Sequence, residues 1–254
     1  MTAIEYENIC KQFPGSTAYA VNAVSAAIEE GEFITILGSS GCGKTTLLKM
    51  TNRLYEPDSG EIRLFGENIA RKNPVELRRG MGYVIQQVGL FPHLTVEENI
   101  GMVPGILNWD AQRIANRVTE LLTLVGLEPE EYRKRYPAQL SGGQQQRIGL
   151  ARALATDPRV MLLDEPFGAI DAITRLNLQN ELQRIHKSSG KTFLLVTHDI
   201  NEAFKLGTRV MIMNAGRLLQ FDTPKHIVQS PADPFVETLI RSAREQEQFW
   251  EAVR

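Results

Sequence analysis

The stretch Phe33-Ile34-Thr35-Ile36-Leu37-Gly38-Ser39-Ser40-Gly41-Cys42-Gly43-Lys44-Thr45-Thr46 joins a short apolar run to a glycine-rich loop, and its reading decides the fold. A run from Phe33 to Leu37 with no alternation reads as a buried parallel strand. It stops at Gly38, and TTLLKMTNRL then carries helical spacing as far as the turn Pro57-Asp58-Ser59-Gly60. Strand, loop and helix are the context that gives the spacing G-x-x-x-x-G-K-[ST] its meaning. Glycines let backbone N–H groups wrap a phosphate, and the helix N-terminus favours negative charge. Lys44 neutralises the β- and γ-phosphates, and Thr45 offers a hydroxyl to Mg²⁺. Gly38, Ser39, Ser40, Gly41, Cys42, Gly43, Lys44, Thr45 and Thr46 are therefore the candidate phosphate cradle.

About a hundred residues on, Leu140-Ser141-Gly142-Gly143-Gln144 followed by QQRIGLARAL reads as a second helix start aimed at an anion. The glycines alone would equally mark a tight helix start. Between that helix and the C-terminus lie two more apolar runs with polar ends. Val160-Met161-Leu162-Leu163 ends in Asp164 and Glu165, and Phe193-Leu194-Leu195-Val196-Thr197 ends in His198. Strand ends of a parallel sheet open onto one crevice, so these side chains are expected beside the cradle. Asp164 suits a Mg²⁺ shell, and Glu165 suits deprotonating a water that attacks the γ-phosphate. His198 is placed to donate a hydrogen bond to that phosphate, although a histidine before Asp199 is also an ordinary residue at a helix start.

The chain has 254 residues, 43% of them hydrophobic, which is ample for a buried core. With 28 basic and 30 acidic residues the net charge is −2, so no global electrostatic case for nucleic-acid binding exists. Cys10 and Cys42 lie far apart and without metal-ligand spacing, which argues against a disulfide scaffold or zinc site and fits a reducing compartment. MTAIEYENICKQF lacks the apolar core of a signal peptide, and no window approaches the roughly 18 apolar residues of a membrane span. A cytoplasmic location is expected, with any membrane role exerted through a partner.

Strands are expected at Ile4 to Ile9, Val21 to Ile28, Glu61 to Phe65 and Met81 to Gln86. An amphipathic helix from Asp110 to Val125, capped by Asn108 or Asp110, opens a helical stretch that lasts to Ala155. The α/β rhythm then resumes with strand Arg159 to Leu163, helix Ala172 to Lys187, strand Thr192 to Thr197 and helix Ile200 to Leu206. Strands near Val210 to Met213 and Arg217 to Phe221 follow. The pattern is an α/β core with a helical insertion and no internal repeat. DPFVETLIRSAREQEQFWEAVR reads as a charged terminal helix, either docked through Phe249 and Trp250 or frayed.

Taken in order, GSSGCGKTT, Gln86 in YVIQQVGLFPHLT, LSGGQQQR, MLLDEP, GAID and LLVTHD resemble the ATP-binding subunits of ABC transporters over residues 1 to 230. Adenylate kinases, GTPases and helicases share the phosphate loop but not this combination. The resemblance implies an α/β P-loop cassette with a RecA-like core, an N-terminal antiparallel β subdomain and an inserted helical subdomain. It divides the chain into a nucleotide-binding domain at 1–231, with the helical part at about 88–157, and a helical tail at 232–254. ATP and Mg²⁺ are the implied ligands. Two copies are implied to pack head to tail, so that Ser141, Gly142, Gly143 and Gln144 of one close over the ATP of the other. Phe13 matches the aromatic that stacks on adenine, with a core phenylalanine as the alternative. Gln86 matches the glutamine that reaches Mg²⁺ and the attacking water, and it begins the segment that faces the membrane subunit. Asp171 matches the loop that contacts the opposite copy.

The helical insertion and LFPHLTVEENI resemble bacterial importers, and TNRLYEPDSGEI with RYPAQLSGGQQQR and DEPFGAIDAITR is most similar to ATPases of quaternary-amine uptake systems for glycine betaine, carnitine or choline. The implied partners are integral-membrane permease subunits and, through them, a solute-binding protein, with the chain on the cytoplasmic face of the membrane. Import of another small solute (an amino acid, a polyamine, a sulfonate) is the nearest alternative. A soluble ABC ATPase of DNA repair or translation would join two cassettes or insert a coiled coil, and a switch with little turnover would not need Glu165 and His198. The osmoprotectant ATPases often continue into paired regulatory modules, whereas this sequence stops at Arg254; salt is therefore expected to act by screening, without a switch-like threshold.

Overall fold

The computed structural model describes residues 1–86, 89–168 and 171–252. Along the chain run β1 (Thr2–Gln12), β2 (Tyr19–Glu29), β3 (Phe33–Gly38), α1 (Lys44–Thr51), β4 (Ser59–Leu64), β5 (Glu67–Asn68), α2 (Pro74–Arg79) and β6 (Met81–Val84). Then come α3 (Val96–Ile106), α4 (Ala111–Leu124), α5 (Pro129–Tyr132), α6 (Gly142–Leu154), β7 (Val160–Asp164) and α7 (Ala172–Ser189). The last elements are β8 (Thr192–Thr197), α8 (Ile200–Leu206), β9 (Arg209–Asn214), β10 (Arg217–Asp222), α9 (Pro224–Gln229) and α10 (Pro234–Ala252). The chain divides into two compact units, one of Met1–Pro74 with Thr192–Arg254 and one of Val75–Lys191.

The first unit holds an antiparallel sheet in the order β2-β1-β4-β5. It also holds strands in the order β10-β9-β3-β8, in which β3 lies parallel to both β8 and β9. Every residue of β3 and β8 is buried, which is why neither strand alternates in sequence. β1 is longer than its apolar alternation suggests, because β2 pairs with it on one side and β4 on the other. β4 stops at Leu64, one residue short of expectation, because Phe65 takes a positive φ and leads into the turn at Gly66. Leu37, Ala203, Val210 and Ile212 form an apolar cluster with Ile227 and with Val236 and Ile240 of α10. The start of the last helix is thus anchored by Val236 and Ile240, while the side chains of Phe249 and Trp250, on which the choice between a docked and a frayed tail turns, lie outside the described residues.

In the second unit β6 runs parallel to β7, paired from Met81↔Val160 to Val84↔Leu163. The pairing ends there, so the expected strand to Gln86 is cut short and Gln86 sits beyond the strand end, exposed. The helical stretch from Asp110 resolves into α4 to α6, with α3 preceding it. Asp110, not Asn108, caps α4 by accepting from the Arg113 N–H at 2.8 Å. α3 was not visible as a separate element, although its signal is present. Thr95 and Glu98 form a capping box, in which Glu98 Oε2 accepts from the Thr95 N–H at 2.7 Å and Thr95 Oγ1 from the Glu98 N–H at 3.3 Å.

Candidate nucleotide site

β3 delivers the chain into the loop and α1 receives it. Gly43 stands at the helix start with φ 104°, and a Cβ there would overlap the Ala20 carbonyl oxygen. A Cβ on Gly38 would likewise overlap the carbonyl of Met213, its register partner in β9. The glycines of the pattern therefore answer to close backbone neighbours as well as to loop curvature. α1 begins without a side-chain cap and with no acidic residue in its first turn, the kind of helix start that suits an anion.

Lys44 is buried, 5% exposed, and its ammonium donates to the carbonyl oxygens of Gly38 at 2.8 Å and Ser39 at 2.9 Å. The cation is held by neutral acceptors inside the loop, where a phosphate would find it without any prior ion pair to break. Ser39 Oγ donates to Asn214 Oδ1 at 3.2 Å, while Ser40 and Gly41 are exposed, Cys42 is buried, and Thr45 and Thr46 are half-buried. Register places His198 at the same strand edge: Leu37 pairs with Thr197, so Gly38 and His198 are the next residues of neighbouring strands. His198 is exposed there, and Asp199 behind it caps α8 by accepting from Asn201 and Glu202 N–H groups. Phe13 is half-buried just past β1, its ring edge-on to Tyr55 at 5.3 Å between centroids.

The second unit carries the carboxylates. Asp164 closes β7 and is 4% exposed. Glu165 follows with φ 47°, a left-handed conformation that costs a residue with a Cβ about 1 kcal/mol and recurs at functional positions. That turn swings its side chain off the strand, where Gln86 Nε2 donates to Glu165 Oε2 at 2.9 Å across 79 residues of sequence. With its NH₂ on Glu165, the Gln86 amide presents its oxygen elsewhere, as a metal or water acceptor would require. The pairing of these two side chains has no sequence signal.

Ser141 caps α6. Its hydroxyl accepts from the Gln144 N–H at 3.3 Å, and Gln144 Oε1 accepts from the Ser141 N–H at 2.9 Å, a reciprocal box. Gly142 and Gly143 form the exposed and half-buried first turn, again without an acidic residue. Gln144 Nε2 donates to the Tyr132 hydroxyl at 3.0 Å, a contact that sequence reading passed over because a lone tyrosine in a polar stretch carries no periodic signal. Asp171 caps α7 through Oδ1, which accepts from the Thr174 N–H at 3.0 Å. That bond, with the Thr174 side chain beside it, holds the Asp171 carboxyl below the ordinary aspartate range. The neighbouring Ala169 and Ile170 of GAID lie outside the described residues.

The profile of the family described as ABC transporter matches residues 21–168, more than half of the chain. The chain belongs to the ABC transporter family. This ABC cassette is 53% identical over 238 residues to the choline transport ATP-binding protein OpuBA of Bacillus subtilis, covering 94% of the chain and 62% of the relative. It is 51% identical over 233 residues to the glycine betaine uptake system ATP-binding protein YehX of Escherichia coli, covering 92% and 75%. OpuBA is thus matched over about six tenths of its length. Among solved structures, the dimeric, post-hydrolysis ATP-binding cassette MJ0796 bound to ADP and Pi matches with TM-score 0.78 and 34% identity, over 87% of this chain and 98% of that one. The α/β architecture with its antiparallel sheet and helical region is that of such cassettes.

Proposed function

We propose that the chain is the ATP-hydrolysing subunit of an importer of quaternary-amine osmoprotectants such as choline, glycine betaine or carnitine. The observation that carries the chemistry is the uncapped start of α1 with Lys44 preset on the Gly38 and Ser39 carbonyls. Identity of about half to choline and glycine betaine uptake ATPases over more than nine tenths of the chain supports the choice of solute class.

The residues fit a magnesium nucleotide by their donor chemistry. The loop N–H groups and Lys44 suit phosphate oxygens, Phe13 suits adenine, and the Thr45 hydroxyl, the Asp164 carboxylate and the Gln86 amide oxygen are each donors of the hard-oxygen type that Mg²⁺ takes. Mg²⁺ bound by them would neutralise charge on the β- and γ-phosphate oxygens. Glu165 acts as the base: its carboxylate exchanges the Gln86 hydrogen bond for one from water and takes the proton as that water attacks. His198 donates to the γ-phosphate from the strand edge, and Lys44 stays with the phosphates throughout. Ser141 and the Gly142-Gly143 backbone serve the nucleotide of a second copy, beside which Asp171 docks. The proposed division is a nucleotide-binding cassette at 1–231, with its helical part at about 88–157, followed by a tail at 232–254.

Among the described residues no helix is long and apolar enough to cross a membrane. As the ATPase of such an importer the chain would attach to the cytoplasmic face through permease subunits, which in turn receive solute from a binding protein. The test is to pull the chain from native membranes, identify the permease and binding protein that accompany it, and measure uptake of labelled choline, glycine betaine and carnitine in cells with and without it. Loss of quaternary-amine uptake on deletion is expected. Unchanged quaternary-amine uptake with loss of another solute would reassign the substrate.

A further inference from the structure

We infer that Tyr132 is a positioning residue for the Ser141 helix start, acting through the Gln144 side chain; the inference rests on reading that start as part of the nucleotide-hydrolysing machinery. The Gln144 amide stands between two fixed groups. On one side is the Ser141 N–H, a donor only, 2.9 Å from Gln144 Oε1. That bond dictates which end of the amide faces the helix start. The NH₂ end then points at the Tyr132 hydroxyl, which accepts at 3.0 Å in a partly buried setting. A hydroxyl is both donor and acceptor, so Tyr132 suits this end of the amide, whereas a phenylalanine ring at the same place would offer no acceptor.

Tyr132 is itself held from outside the helix. The Arg135 guanidinium lies over its ring at 4.6 Å from the centroid and is tied to Glu131 at 2.6 Å. Tyr132 closes α5, so the chain of contacts carries the position of one element into the first turn of another. The consequence is a locked Gln144 rotamer, and through it a capping box whose Ser141 hydroxyl and leading N–H groups keep one direction. The α1 start has no counterpart, since no side chain caps it. Preorganisation of this kind raises the rate of a step that needs donors already aimed, and leaves affinity at the phosphate loop alone.

Tyr132→Phe removes one oxygen and is the direct probe. In the full chain, hydrogen exchange of the Ser141 and Gln144 amides should quicken about threefold to tenfold, the range for one lost hydrogen bond. ATP turnover should fall by a similar factor while equilibrium nucleotide affinity holds. In a Gln144→Ala background the same change should add nothing to either readout, because the intermediary is gone. Unchanged exchange at the α6 start in Tyr132→Phe would overturn the inference, and so would an equal effect in the Gln144→Ala background. A wild-type chain without turnover would defeat the functional reading instead, and the exchange measurement would still decide Tyr132.

Discussion

The starts of α1 and α6 are chemically alike and structurally opposite. Both are glycine-rich, both lack acidic residues in the first turn, and both were read as aimed at an anion. At α1 the residue before the helix is Gly43 in a left-handed conformation with no capping side chain, and a buried ammonium stands in the loop. At α6 the helix is already capped by Ser141 and Gln144, and no lysine or arginine lies among the first five helical residues. A start with no capping side chain and a preset cation is built to bind phosphate strongly on its own. A self-capped start without a cation binds weakly on its own and adds its dipole and hydroxyl to a nucleotide held elsewhere.

The largest effect that sharpens this contrast comes from a third position. Glu165→Gln should keep binding at α1 and closure by α6 while lowering turnover roughly 10²- to 10⁴-fold, the contribution of a general base. Phosphate release, followed beside size-exclusion chromatography with ATP, should show a nucleotide-held dimer accumulating. Turnover near the wild-type rate would remove Glu165 from its role.

A smaller effect separates the two helix starts themselves. Lys44→Ala should weaken ATP binding about tenfold to a hundredfold, as expected for losing a charge-assisted contact. Ser141→Arg should leave affinity at the phosphate loop in place and block closure. Mixing the two chains should return closure in part of the heterodimers, because one composite site then carries both lesions and the other carries neither. Mixtures that behave as the sum of the separate variants would break the head-to-tail assignment.

The smallest effect compares a hydroxyl cap with a carboxylate cap. Asp171 is exposed and its carboxyl is held below the ordinary range by the Thr174 N–H. A depressed folded-state value means that the stabilisation is complete above the unfolded value of about 3.9 and is lost as pH falls through the folded one. Exchange at the α7 start should therefore rise below about pH 4, and Asp171→Asn should flatten that rise. The Ser141 cap has no titrating group, so the α6 start should show no matching limb. A common acid limb at both helices would mean that global unfolding, not the cap, is being observed.

Legibility from sequence followed the range of the interaction. The buried strands β3, β7 and β8 were readable because each carries four apolar residues in a short run with no polar alternation, the pattern of a strand covered on both faces in an α/β chain. The glycine-rich loop was readable because the spacing G-x-x-x-x-G-K-[ST] between a strand and a helix is itself a local pattern. Strand ends at Leu64 and Val84 were misjudged by one or two residues, since a positive φ at Phe65 and the end of pairing with β7 decided them. The separate helix α3 was missed even though Thr95 and Glu98 hold a capping box.

By itself the sequence determined the chemistry available: which helix starts lack acids, which strands end in carboxylates or histidine, and where glycine is obligatory in a turn. Those properties depend on neighbours within a few residues, whose spacing the covalent chain sets. Only the tertiary structure decided that the Ala20 and Met213 carbonyls crowd Gly43 and Gly38, that Gln86 meets Glu165, and that Tyr132 steadies Gln144. It likewise decided that α10 is anchored through Val236 and Ile240. The Gly43, Gly38, Gln86 and Tyr132 contacts join residues 12 to 175 positions apart, and packing brings them together with no periodicity that a linear pattern records.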